Sequence, residues 1–115
     1  MLYTELRPRN VYEDLDPGAD AYFFKVGDQG VVIFHGRNYN LKKRLTDEEQ
    51  RTLLHHPSFF RITCHLFVNV DKITEIDHNT LHFRDAIHGV KSIEVPRKMA
   101  EQLRRLIHTR NSIAI

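Results

Sequence analysis

This 115-residue chain has no tryptophan and one cysteine, Cys64. One thiol excludes an internal disulfide framework and cysteine-rich zinc motifs, and it fits a reducing compartment. No apolar run approaches the roughly 18 residues of a transmembrane helix. The opening Met-Leu-Tyr-Thr-Glu-Leu-Arg-Pro-Arg lacks the basic start and apolar core of a signal peptide. A cytoplasmic location with no membrane partner is expected. There is no glycine-rich phosphate loop, no Gly-x-Ser-x-Gly nucleophile, no internal repeat and no low-complexity segment. Cys64 beside His65 is a poor nucleophile–base pair, because that chemistry needs spatial rather than sequence adjacency. No catalytic residue is assigned, and the chain is read as a non-enzyme.

Charge of one sign is also scarce overall: 17 Lys+Arg stand against 15 Asp+Glu, a net of +2. The distribution is less even. Residues 1–30 hold six acids and three bases, whereas residues 31–115 hold fourteen bases and nine acids. The C-terminal half is therefore basic, with Arg97, Lys98, Arg104, Arg105 and Arg110 close to its end. The length corresponds to one domain that can fold without covalent staples.

The pattern along the chain is β-rich. Residues 1–19 read as an arm, either shielding a basic surface or serving as a terminal strand or frayed tail. Strands are expected at Tyr22–Phe24 and Val31–Phe34, with Asn38–Leu41 returning after a His35-Gly36 turn. Thr46-Asp47-Glu48-Glu49 is a capping box opening a short helix that ends before Pro57. Strands are expected around Phe60–Thr63 and Ile73–Ile76. Leu81 and Phe83 then alternate with His82 and Arg84, and His88-Gly89 marks a hairpin. Pro96 is expected as the first residue of a last helix. Met99, Leu103, Leu106 and Ile107 give that helix one apolar stripe, which reads as core packing.

Eight histidines raise the question of metal. His55-His56, Cys64-His65 and His78/His82 are the candidates. None shares a face at ligand spacing, so no metal ligand and no cofactor is assigned.

Phe59-Phe60-Arg61-Ile62 followed by Val68-Asn69-Val70-Asp71-Lys72-Ile73 resembles the central signature of the LytTR family of bacterial DNA-binding domains. That signature runs roughly F-x-R-x-H-R-S-x-x-V-N-x-x-x-I. Ile93-Glu94-Val95-Pro96-Arg97-Lys98 is similar to the family's closing V-S-R-R segment, and the capped helix occupies the place of its inner helix. The resemblance covers about residues 20–108. It implies a mainly β (α+β) fold: elongated antiparallel sheets, one short middle helix and a C-terminal helix. It also implies binding of double-stranded promoter DNA, commonly direct repeats, through loops in successive major grooves.

Carried over, the contact loops are Gly27–Val31 with Gln29, then Thr63-Cys64-His65, then Pro96-Arg97-Lys98. Outside those loops, Arg104 and Arg105 on the last helix are candidates for further phosphate contacts. Arg97 suits a bidentate guanine contact and Lys98 suits phosphate neutralisation. Arg61 reads as a scaffold residue, and Asn69 as one that orders a turn through backbone bonds. The departures fall in the loops. His-Arg-Ser becomes Thr63-Cys64-His65, the first loop carries Asp28 and no cation, and Pro96 replaces a serine. A modest salt dependence follows.

The expected organisation is an arm at 1–19, a DNA-binding domain at 20–110 and a tail at 111–115. The expected function is a stand-alone transcription regulator without a receiver domain, acting alone, by self-association or by pairing with another regulator. Two alternatives are a protein-interaction module that modulates another regulator, and a metal, haem or ligand sensor using Cys64 and the histidines.

Overall fold

The computed structural model describes the backbone of residues 16–114 and the side chains of residues 16–110. Most of the expected N-terminal arm, and with it any shielding role, lies outside the described residues. Its last part is a single helical turn, α1 (Pro17–Asp20). The ladder that follows is β1 (Phe23–Val26), a 3-10 turn at Asp28–Gly30, β2 (Val31–His35) and β3 (Asn40–Arg44). Then come α2 (Asp47–Leu54), β4 (Phe59–Arg61) and β5 (Leu66–Asn69). The chain closes with β6 (Glu75–Asp77), β7 (Thr80–Asp85), β8 (Gly89–Glu94) and α3 (Arg97–Ala114).

Two antiparallel sheets result. The larger has the order β3-β2-β1-β5-β4, and the smaller has the order β6-β7-β8. The described residues extend over 50 × 34 × 26 Å, an elongated α+β domain.

At the centre of the larger sheet, β5 and the first half of β1 are buried on both faces, which explains their sequence texture. In β1, Phe23 enters one core while Phe24 enters the other. Opposite them in β5, Val68 and Phe67 divide in the same way. One core lies under α2: Phe24, Val32, Phe34 and Phe67 meet Leu53, with the Phe24 and Phe67 rings stacked at 5.0 Å. The other joins Phe23, Val68 and Ile62 to Leu81 and Phe83 of the smaller sheet and to Ala100 and Leu103 of α3. Three of the four stripe residues read from α3 are core: Leu103 is fully buried and Met99 and Leu106 pack beside it, whereas half-buried Ile107 stands outside that cluster.

The capping box is complete. Thr46 Oγ1 accepts from the Glu49 amide at 3.1 Å, and Glu49 Oε1 accepts from the Thr46 amide at 2.9 Å.

Other boundaries differ from the expectation for physical reasons. The strand expected at Phe60–Thr63 stops at Arg61, because Thr63 Oγ1 accepts from the His65 and Leu66 amides and closes a turn. The strand expected at Ile73–Ile76 is shifted to Glu75–Asp77. Pro96 is the residue before α3 rather than its first, since its carbonyl accepts from Met99 and Ala100. α3 itself runs on to Ala114, through most of the segment expected to be a tail.

Candidate DNA-binding surface

The first two loops meet at one end of the larger sheet. β1 leaves the sheet at Val26 and β5 enters it at Leu66, in antiparallel register. The Val26 amide then donates to the His65 carbonyl at 2.8 Å, one step past the ladder. This bond ties the Gly27–Val31 loop to the Thr63–His65 turn.

The first loop is tightly specified. Gln29 sits at φ 57° and Gly30 at φ 78°, both left-handed. The Gly30 carbonyl accepts from Leu45 at 2.8 Å, and a Cβ on Gly30 would come within 2.7 Å of the Leu45 carbonyl oxygen. Glycine alone fits that approach without moving backbone. Holding a glutamine left-handed costs on the order of 1 kcal/mol, and the result is a Gln29 side chain presented to solvent.

In the second loop the three residues divide their work. Thr63 spends its hydroxyl on the turn, as above. Cys64 and His65 are exposed, with Cys64 Sγ 3.0 Å from His65 Nδ1. Arg61 is exposed at the end of β4 and forms no salt bridge with another described residue.

The third segment stands beside the β6–β7 turn. The Val95 amide donates to the Asn79 carbonyl at 2.9 Å, which sets the start of α3 against His78-Asn79. Arg97 begins α3 with its side chain 83 % exposed, and its Nε lies 3.4 Å from Glu101 Oε2. Lys98 and Arg105 are exposed. Arg104 is exposed too, but its Nη2 donates to the His78 carbonyl, so it braces the turn. Ile62 at the root of the second loop and Met99 just beyond Lys98 belong to the same core, which fixes all three segments to one scaffold.

Cations at the first turn of a helix oppose its dipole, so Arg97 and Lys98 are not there for helix stability. Arg110 is different: its Nη1 reaches Asp71 Oδ1 at 2.7 Å and its Nη2 donates to the Pro57 carbonyl. It clamps α3 to the loop before β4.

Asn69 is the best-satisfied polar side chain of the described interior. It is 1 % exposed. Its Nδ2 donates to the Ala19 and Ala21 carbonyls at 3.1 and 3.0 Å, and its Oδ1 accepts from the Asp71 amide at 3.0 Å. It orders the turn after β5 and also anchors the chain between α1 and β1.

The histidines do not converge. Among the described residues no group of three or more His, Cys, Asp or Glu side chains is placed to hold a metal ion. No described helix is long and apolar enough to cross a membrane.

The LytTr DNA-binding domain of a Bacillus cereus protein has 19 % sequence identity, covering 78 % of this chain and 83 % of that one, with a TM-score of 0.49. No curated protein sequence matches the chain. The family profile of the LytTr DNA-binding domain matches residues 18–108, which takes in both sheets, α2 and most of α3. The chain therefore belongs to the LytTR family of bacterial DNA-binding domains, a non-enzymatic family of DNA-binding regulators.

Proposed function

We propose that this chain is a transcription regulator that reads promoter DNA through loops in the major groove. The observation that carries the reading is the Val26–His65 backbone bond, which joins the first two loops into one exposed ridge. The ridge of two short turns presents solvent-facing Gln29, Cys64 and His65 together, the kind of element a major groove about 12 Å wide admits. Gln29 can pair with an adenine edge, and His65 can donate or accept at a base edge. Arg97 supplies the bidentate donor suited to guanine O6 and N7, while Lys98 neutralises phosphate and Arg105 adds to it. Thr63 and Arg104 act on this reading as braces that hold the contacting residues in place.

Selection of bound sequences from a random duplex pool, run at two salt concentrations, tests it. The expected result is one enriched motif, arranged as a direct repeat and retained at the higher salt. Absence of any enriched motif at either concentration refutes the reading.

A further inference from the structure

Strand register assembles a cationic row that the loops themselves lack. Lys25 lies opposite Ile33 across β1 and β2, and Ile33 lies opposite Lys42 across β2 and β3. Residues in direct register share a face, so Lys25 and Lys42 project from the same side of the sheet. Arg44, two residues after Lys42, returns to that side. At a strand spacing of about 4.8 Å the Lys25 and Lys42 backbones are about 10 Å apart, with Arg44 about 7 Å along the strand. All three side chains are exposed, and none forms a salt bridge with another described residue.

The positions of β1, β2 and β3 that share this face hold no carboxylate. The field is felt nearby: burial first, then Lys25 and Lys91, hold the His35 imidazole below its usual range. The row also borders both loops. Lys25 precedes Val26, which is bonded to His65, and Arg44 precedes Leu45, which is bonded to Gly30. Ten ångströms of duplex presents about six phosphates.

We propose that Lys25, Lys42 and Arg44 form a phosphate-backbone grip that seats the duplex beside the Gly27–Val31 and Thr63–His65 loops. The inference rests on the DNA-binding reading above and adds residues to it. It resolves the shortage of cations in those loops: the side chains that read are on the turns, and the charge that binds is on the flanking strands. β3 is also an edge strand, and edge lysines can serve only to block pairing with another chain.

The test measures affinity of the full chain for its selected duplex from about 50 to 200 mM salt. Replacing Lys25, Lys42 and Arg44 together with Gln should lower the magnitude of the log–log salt slope by about 2–3, at about 0.9 for each phosphate no longer neutralised. Affinity should fall evenly across sequences, leaving the preferred motif unchanged. Lys72→Gln, beyond the opposite end of β5, should leave the slope alone. Lys42→Gln by itself should remove about 0.9 and serves if the triple variant does not fold.

If the parent binds and the slope of the folded variants is unchanged, the grip is refuted while the DNA-binding reading stands. The grip is equally refuted if the triple variant self-associates with an unchanged slope, which assigns the row to edge protection. A parent that binds no duplex overturns both.

Discussion

Asn69 is the residue at which a scaffold role and a DNA-contacting role part most cleanly. Truncation to alanine leaves three backbone groups without their partner: the Ala19 and Ala21 carbonyls and the Asp71 amide. An orphaned buried polar group costs about 1–3 kcal/mol. The Ala21 bond is buried, while the other two are only partly so and regain some solvent. The net loss for Asn69→Ala is therefore about 2–4 kcal/mol, read from urea unfolding with an unchanged m-value.

Asn69→Asp sharpens the argument. A carboxylate has nearly the same shape but cannot donate, and it would face two carbonyl oxygens. That variant should be less stable than Asn69→Ala at pH 7. It should recover part of the difference in acid, because burial raises the folded-state carboxyl pKa and protonation restores a donor. Affinity for duplex DNA, measured where both variants remain folded, should stay near the parent value. A stable Asn69→Ala protein that has lost DNA binding would refute the scaffold assignment outright.

Three further outcomes are expected. Arg97→Ala should weaken binding to the selected duplex by about 1–3 kcal/mol and relax preference at one base pair, and unchanged affinity in a titration removes it from the reading set. Gly30→Ala should destabilise the fold by about 1–3 kcal/mol, since the residue sits at φ 78° with the Leu45 carbonyl oxygen 2.7 Å from an added Cβ; an unfolding midpoint equal to the parent's refutes the strain argument. His35 is depressed by burial, then by Lys25 and Lys91, so folding favours its neutral form. Well above the ordinary imidazole value of about 6.5 both states are neutral there and it contributes nothing. As pH falls through that value the unfolded chain takes the proton first and stability declines, so His35→Gln should flatten the parent's loss of stability between about pH 7 and 5.

The sequence is most legible where one local interaction decides the outcome. Thr46 and Glu49 cap α2 by reaching across three residues, and the capping pattern can be read without the rest of the chain. The α3 stripe and the alternation through Leu81 and Phe83 are equally plain, because each element has one wet face. β5 is the element that pattern reading misses. Leu66-Phe67-Val68-Asn69 does not alternate, because it is the strand between β1 and β4 and is covered on both sides. Its only signal is the short apolar run itself, which periodicity cannot classify. α1 is missed for a different reason. Pro17 and Gly18 look like a leader, and what makes them part of the domain is Asn69, fifty residues away, bonding to the Ala19 carbonyl.

The same distinction governs the candidate surface. Charge counted along the chain places the cations in the last twenty residues and leaves the first two loops bare. Charge counted across strands places Lys25 and Lys42 on one face with only Ile33 between them, although they are seventeen positions apart in sequence. Loop composition is then a poor guide to electrostatic affinity in this fold, because each loop borrows the charge of the strands that carry it. A salt slope limited to Arg97, Lys98 and their helix would be shallow; a slope steeper by about 2–3 is what the strand row adds. Loops freed from neutralising phosphate can hold residues such as Gln29 and His65, whose hydrogen-bonding geometry discriminates bases. On that division of labour, substitutions in the loops should change which sequence is bound, and substitutions on β1 and β3 should change how tightly any sequence is held.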